Sequence, residues 1–184
     1  MMWVHLLLAC SAPPPERLFE VPDFQLTERS GAPVDRATLR DRVWVAGFVF
    51  TSCPGPCPML SAQMATIQAH YAKDPDFRLV SFTVDPATDR PEVLRGYADR
   101  FGADPEKWLF LTGDPQTVQT VVVDGFKTML ERLPSVGGQP PNVMHSERFL
   151  LVDRKGWVRA ILDPKAETEL FGTVDAVLHE GRWW

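Results

Sequence analysis

Two cysteines, Cys53 and Cys57, stand four positions apart in the run FVFTSCPGPCPML at residues 48–60, each followed directly by a proline. A thiolate is both the nucleophile of thiol–disulfide exchange and a soft metal ligand, and a helix N-terminus favours it by supplying partial positive charge. Pro54, Pro56 and Pro58 each fix their own φ and push the residue before them away from the α region, so the loop is stiff and presents its two sulfurs in a preset geometry. Three chemistries are open to such a pair. A permanent disulfide would close so short a loop that chain entropy promises little stabilisation. Redox exchange more often uses Cys-x-x-Cys, one residue shorter than the spacing here. A metal clamp requires a further ligand.

Four histidines could supply it: His5, His70, His145 and His179. His5 lies in the opening apolar stretch, His70 falls on the polar face of a helix, and His179 sits in the last turn of the final helix, where a cation is favourable without any further role. His145 follows a proline- and glycine-rich loop and directly precedes the apolar run RFLLV, which places it at a strand mouth. A histidine there is often an ordinary loop residue; the unpaired cysteines are what give it a second reading. Two thiolates and one imidazole form a soft, three-ligand set that suits copper better than hard cations and lacks the fourth protein ligand of a structural zinc site. Met59 and Met144 adjoin the candidate ligands and read as packing residues.

The elements around these residues follow from periodicity. VWVAGFVF at residues 43–50 is β-branched and aromatic without polar alternation, as in a strand buried on both faces. Beyond Pro58, Leu60, Met64, Ile67 and Tyr71 recur at helical spacing, with Gln63, Thr66, His70 and Lys73 opposite, so the cysteines sit between a buried strand and a helix. FRLVSFTV at 77–84 and WLFLT at 108–112 are further strands. Asp89-Arg90-Pro91-Glu92 has the form of a capping box opening a helix through Phe101, and Asp114-Pro115 opens another despite the strand-like Val121-Val122-Val123. An N-terminal hairpin turns at Ser30-Gly31, followed by a short helical stretch in DRATLRD. FKTMLERL suggests a strand, residues 134–143 a loop, and a second hairpin turns at Lys155-Gly156 before a last helix carrying Leu170, Phe171, Val174, Val177 and Leu178. Strands alternating with helices predict an α/β sandwich around a mixed sheet.

With 184 residues, 45% hydrophobic, one domain with a real core is expected. A formal charge of −5 and the lack of any Lys/Arg cluster argue against nucleic acid as a partner. Three cysteines are too few for a disulfide scaffold. The third, Cys10, ends the short apolar stretch MMWVHLLLAC, too short to span a bilayer, and SAPPP after it reads as a tether. Leu7-Leu8-Ala9-Cys10 resembles the lipobox of bacterial lipoproteins, in which the cysteine becomes the acylated first residue. That implies a signal segment at 1–9, a tether at 10–17 and a folded domain at 18–184, anchored by lipid outside the cytoplasm.

GFVFTSCPGPCPML, SFTVDPATDRPEVLRGYADRFG, WLFLTGD and MHSERFLLVDRKGWVR together resemble, in order and spacing, the Sco (SenC-type) family of copper chaperones, from about residue 20 to about 180. The resemblance implies a thioredoxin-like fold binding one copper ion, Cu(I) or Cu(II), through Cys53, Cys57 and His145. It implies a metallochaperone rather than an enzyme: an extracytoplasmic, monomeric carrier that delivers copper to the apo cytochrome c oxidase copper-binding subunit, or reduces the cysteines of its binuclear centre, with other periplasmic copper carriers as further partners. Thioredoxin relatives carry a cis-proline before the strand facing the cysteines; here Pro140 and Pro141 lie upstream of His145. Many relatives have an acidic residue where this chain has Met144, and Asp85 and Asp89 match an acidic pair common in the family that capping and turn formation also explain. The alternative is a thiol–disulfide reductase working through Cys53 and Cys57 without a required metal.

Overall fold

The first two long strands, β4 (Val43–Val49) and β5 (Phe77–Thr83), pair in parallel over seven residues, from Val43 opposite Phe77 to Val49 opposite Thr83. All seven residues of β4 are buried, as its unbroken apolar run requires. The computed structural model describes residues 13–53, 55–128, 130–132 and 143–181, with the backbone alone at 130–132 and 143–145. His5, Cys10, Pro54, Pro140, Pro141 and most of the loop expected at 134–143 lie outside the described residues.

In chain order the other strands are β1 (Phe19–Glu20), β2 (Gln25–Glu28), β3 (Pro33–Asp35), β6 (Trp108–Thr112), β7 (Leu130–Arg132), β8 (Val143–His145), β9 (Phe149–Val152) and β10 (Trp157–Leu162). The helices are α1 (Cys57–His70), α2 (Pro91–Arg100), α3 (Pro115–Gln119) and α4 (Glu167–Leu178). The main sheet runs β1-β10-β9-β4-β5-β6-β2-β3, parallel at β4–β5–β6 and antiparallel elsewhere, while β7 and β8 form a separate ribbon. This is the expected mixed sheet flanked by helices. The N-terminal hairpin extends it, β2 pairing with β6, through a turn where Gly31 takes a φ of +92°.

Side-chain alternation divides the core into two layers. On one side Gly47 faces Met64 of α1, Phe77 meets Tyr71 at a ring separation of 4.3 Å, and Phe110 meets Tyr97 of α2 at 6.2 Å. Tyr71 also donates to Asp175 of α4 at 2.8 Å, so α1, α2 and α4 share that face. On the other, Trp44, Phe48 and Phe82 converge on Phe126 with ring separations of 6.2, 5.6 and 5.0 Å. Phe126 follows a π-helical turn, Thr120–Gly125, that continues α3, so 115–124 is helical as expected; Asp114 caps α3 by accepting from Gln116 and Thr117 N–H at 3.0 Å. Gly125 is required there, since a Cβ would lie 2.7 Å from Pro22.

The strand expected in FKTMLERL is confined to β7, because Lys127 takes a φ of +54° and turns the chain away first. At the opposite edge buried Arg159 donates to Asp153 at 3.2 Å, to Glu180 at 2.6 Å and to the Pro15 carbonyl at 2.8 Å, fastening the N-terminal segment against β10. No helix among the described residues is long and apolar enough to cross a membrane.

Phe126 joins the aromatic layer to the segment that leads into β7 and β8. Phe126→Ala is expected to lower unfolding stability by about 3–5 kcal/mol, as other deletions of large buried aromatics do, and urea denaturation followed by tryptophan fluorescence measures the loss.

Candidate metal centre

The cysteine loop leaves the carboxyl end of β4 and enters α1, the crevice position where open α/β sheets place ligands. Cys57 is the first residue of α1, with Pro56 as its N-cap, so the three-proline loop does lead straight into a helix. Cys53 is half-buried and Cys57 is 1% exposed; both thiols are free, and the Cys53 sulfur is a hydrogen-bond partner of the Cys57 thiol. The loop is braced locally, Cys53 N–H donating to the Phe50 carbonyl at 3.2 Å and Gly55 N–H to the Cys53 Sγ at 3.4 Å.

The helix terminus was expected to lower the thiol pKa. Instead burial pushes the Cys57 thiol up, with the Cys53 thiol and the Asp89 charge adding to the rise and a hydrogen bond donated by the Phe50 backbone opposing it. A nearly sealed environment outweighs the partial charge of one helix end. Tyr97, 3% exposed beneath the pair, is pushed up to about 12, chiefly by burial, and shares a 2.8 Å hydrogen bond with Ser61 of α1.

Asp89 overturns a second expectation. Arg90, in extended conformation, is the N-cap of α2 and makes no side-chain cap bond; the Asp89 carboxylate turns the other way. It accepts from the Thr51 hydroxyl at 2.6 Å, from the Thr51 N–H at 3.2 Å and from the Thr83 hydroxyl at 2.6 Å. With none of its surface exposed, its pKa is raised by burial, against the pull of these donors. Asp85 keeps the turn-forming role: its carbonyl accepts from Thr88 N–H at 3.1 Å and Asp89 N–H at 2.9 Å. Met59 is not a packing residue either. It is 49% exposed and lines a shallow groove of about 140 Å³ with Leu60, Gln63, Pro164, Lys165 and Glu167.

His145 ends β8, opposite Leu130 of β7, three residues short of β9 instead of leading straight into it; the described part of this residue is its backbone. His70 stacks on Phe171 at 4.2 Å, and His179 is the C-cap of α4, both away from the loop in role. Among the described residues no group of three His, Cys, Asp or Glu side chains is poised to hold a metal. The structure therefore brings together Cys53 and Cys57.

A family model described as SCO1/SenC matches residues 13–176. The chain belongs to this family. It is 33% identical over 142 residues to the SCO1 protein homolog of Bacillus subtilis, a match covering 76% of this chain and 72% of that protein. Against the first curated relatives the match spans 64% to 72% of their length. The crystal structure of a SCO1/SenC family lipoprotein from Bacillus anthracis superposes with a TM-score of 0.77 at 29% identity, covering 86% of this chain and 95% of that one. Bradyrhizobium japonicum ScoI with copper bound superposes at 0.74 and 25% identity, covering 85% and 97%. The SCO1/SenC fold, a curled mixed sheet flanked by helices, is thus shared, and the thioredoxin-like resemblance holds.

Sequence reasoning named Asp89 but gave it the wrong partner. The signal available was a threonine two residues before the first cysteine and another at the end of the next buried strand, both facing a carboxylate only after the strands register.

The two thiols should differ sharply in reactivity. In reduced, metal-free protein at pH 8, iodoacetamide is expected to label Cys53 well ahead of Cys57; time-resolved mass spectrometry of the tryptic peptides reads both rates.

Proposed function

We propose that this SCO1/SenC protein carries one copper ion as cargo outside the cytoplasm and passes it to the apo copper-binding subunit of cytochrome c oxidase. The observation that carries the reading is the pair of free, mutually contacting thiols at the β4–α1 junction of a chain that belongs to this family. The donor chemistry fits: two sulfurs, one buried, suit soft Cu(I), and His145 would add an imidazole that suits Cu(II). The copper-bound relative from B. japonicum supports the cargo, and the lipoprotein from B. anthracis supports a lipid anchor, here through Cys10.

Cys53 and Cys57 would hold copper as thiolates, so loading releases their protons. Because burial holds the Cys57 proton on to higher pH, copper affinity falls as the medium becomes more acidic. Delivery proceeds by ligand exchange, the acceptor's thiolates replacing these two in turn. Half-exposed Cys53 is the sulfur an acceptor reaches first, and Cys57, sealed at the helix start, is released last.

A second reading rests on the same contact: two free thiols within reach of each other can close a disulfide and so reduce a partner's cysteines. Anaerobic copper titration of the reduced soluble domain separates the two. The carrier reading expects one equivalent bound, lost in Cys53→Ala and Cys57→Ala, with His145→Ala weakening it at least tenfold and changing the Cu(II) charge-transfer spectrum. Stoichiometric binding indifferent to His145, or no binding at all, would instead favour the reductase.

A further inference from the structure

We infer that Asp89 is the positioning residue of the cysteine loop, a buried carboxylate that fixes how Cys53 and Cys57 are presented. The inference deepens the copper-carrier reading and rests on it only for the metal part of its test.

The carboxylate has no exposed surface, yet it carries no ion pair among the described residues. Every donor recorded on it comes from two places: the Thr51 N–H and hydroxyl, and the Thr83 hydroxyl. Thr83 is the last residue of β5; Thr51 is two residues past the end of β4 and two before Cys53. Asp89 itself immediately precedes Arg90, the N-cap of α2. One side chain thus ties the carboxyl ends of two adjacent strands and the entry of a helix to the first residue of the loop.

Cys53 N–H reaches the Phe50 carbonyl at 3.2 Å and Val84 N–H the Val49 carbonyl at 2.9 Å, while Asp89 joins Thr51 of the loop to Thr83 at the end of β5. The Cys57 end is already fixed by α1. Where the Cys53 end goes therefore depends on Thr51, and Thr51 on Asp89. A hydrophobic side chain of similar volume would fill this space without desolvating a charge, but it would leave the Thr51 N–H without an acceptor and the loop without a strut.

The test compares the alkylation rates of Cys53 and Cys57 in reduced, metal-free protein, and copper affinity in the same variants. Asp89→Ala is expected to bring the two rates at least tenfold closer together, as the Cys53 end of the loop lifts away and uncovers Cys57, and to weaken copper binding at least tenfold. Asp89→Asn keeps one acceptor oxygen for Thr51 and should fall between wild type and Asp89→Ala. Leu94→Ala, a buried deletion on α2 outside the network, should lower thermal stability while leaving the rate ratio as in wild type. Should Asp89→Ala fail to fold by circular dichroism, Thr51→Val takes its place, with at least a threefold approach of the rates expected. A wild-type ratio in the folded Asp89 or Thr51 variant, or an equal shift in Leu94→Ala, overturns the assignment. Failure of the wild-type protein to bind copper would sink the carrier reading instead, and the metal-free rates would still decide the role of Asp89.

Discussion

Everything at the candidate site depends on β4 and β5 ending level. Their parallel pairing runs without a break to Val49 opposite Thr83, and the side chains on both faces are buried, so neither strand can slide without exposing a full apolar set. That register sets where the chain leaves the sheet, hence where the cysteine loop begins. It also puts Thr83 beside the loop's first turn, with a buried carboxylate between them.

The electrostatics of the pair follow from the same enclosure. A thiol at a helix start in water would lose its proton more readily, but Cys57 is almost fully buried at the β4–α1 junction, and burial prevails. For a metal carrier this division is useful. A protonated, shielded sulfur is poorly nucleophilic toward stray partners, while its half-exposed neighbour stays available to a ligand or an acceptor thiol.

The aromatic layer on the far face does different work. Phe126 packs against Trp44, Phe48 and Phe82 and then releases the chain through the left-handed Lys127 toward the β7–β8 ribbon, where His145 lies. The His145 backbone thus belongs to a ribbon outside the main sheet, whereas Cys53 and Cys57 lie at the sheet's end.

The sequence by itself determined the local elements: the buried strands, the helix after the cysteines, the hairpins turning at Gly31 and Gly156, and the cysteine pair with its prolines. These are written in patterns a few residues long, as apolar periodicity and turn chemistry. His145 could be picked out only by its type and by resemblance. Tertiary structure decided which neighbour each side chain meets. Asp89 and Glu92 satisfy a capping pattern, yet Asp89 serves Thr51, 38 residues away, because the aligned strand ends offer it two hydroxyls. Met59 fits the apolar character of α1 but faces outward, and Cys57 has a helix terminus yet is governed by burial. Local patterns specify period and turn; burial and partners are set by how distant segments register, and that information is spread over the whole chain.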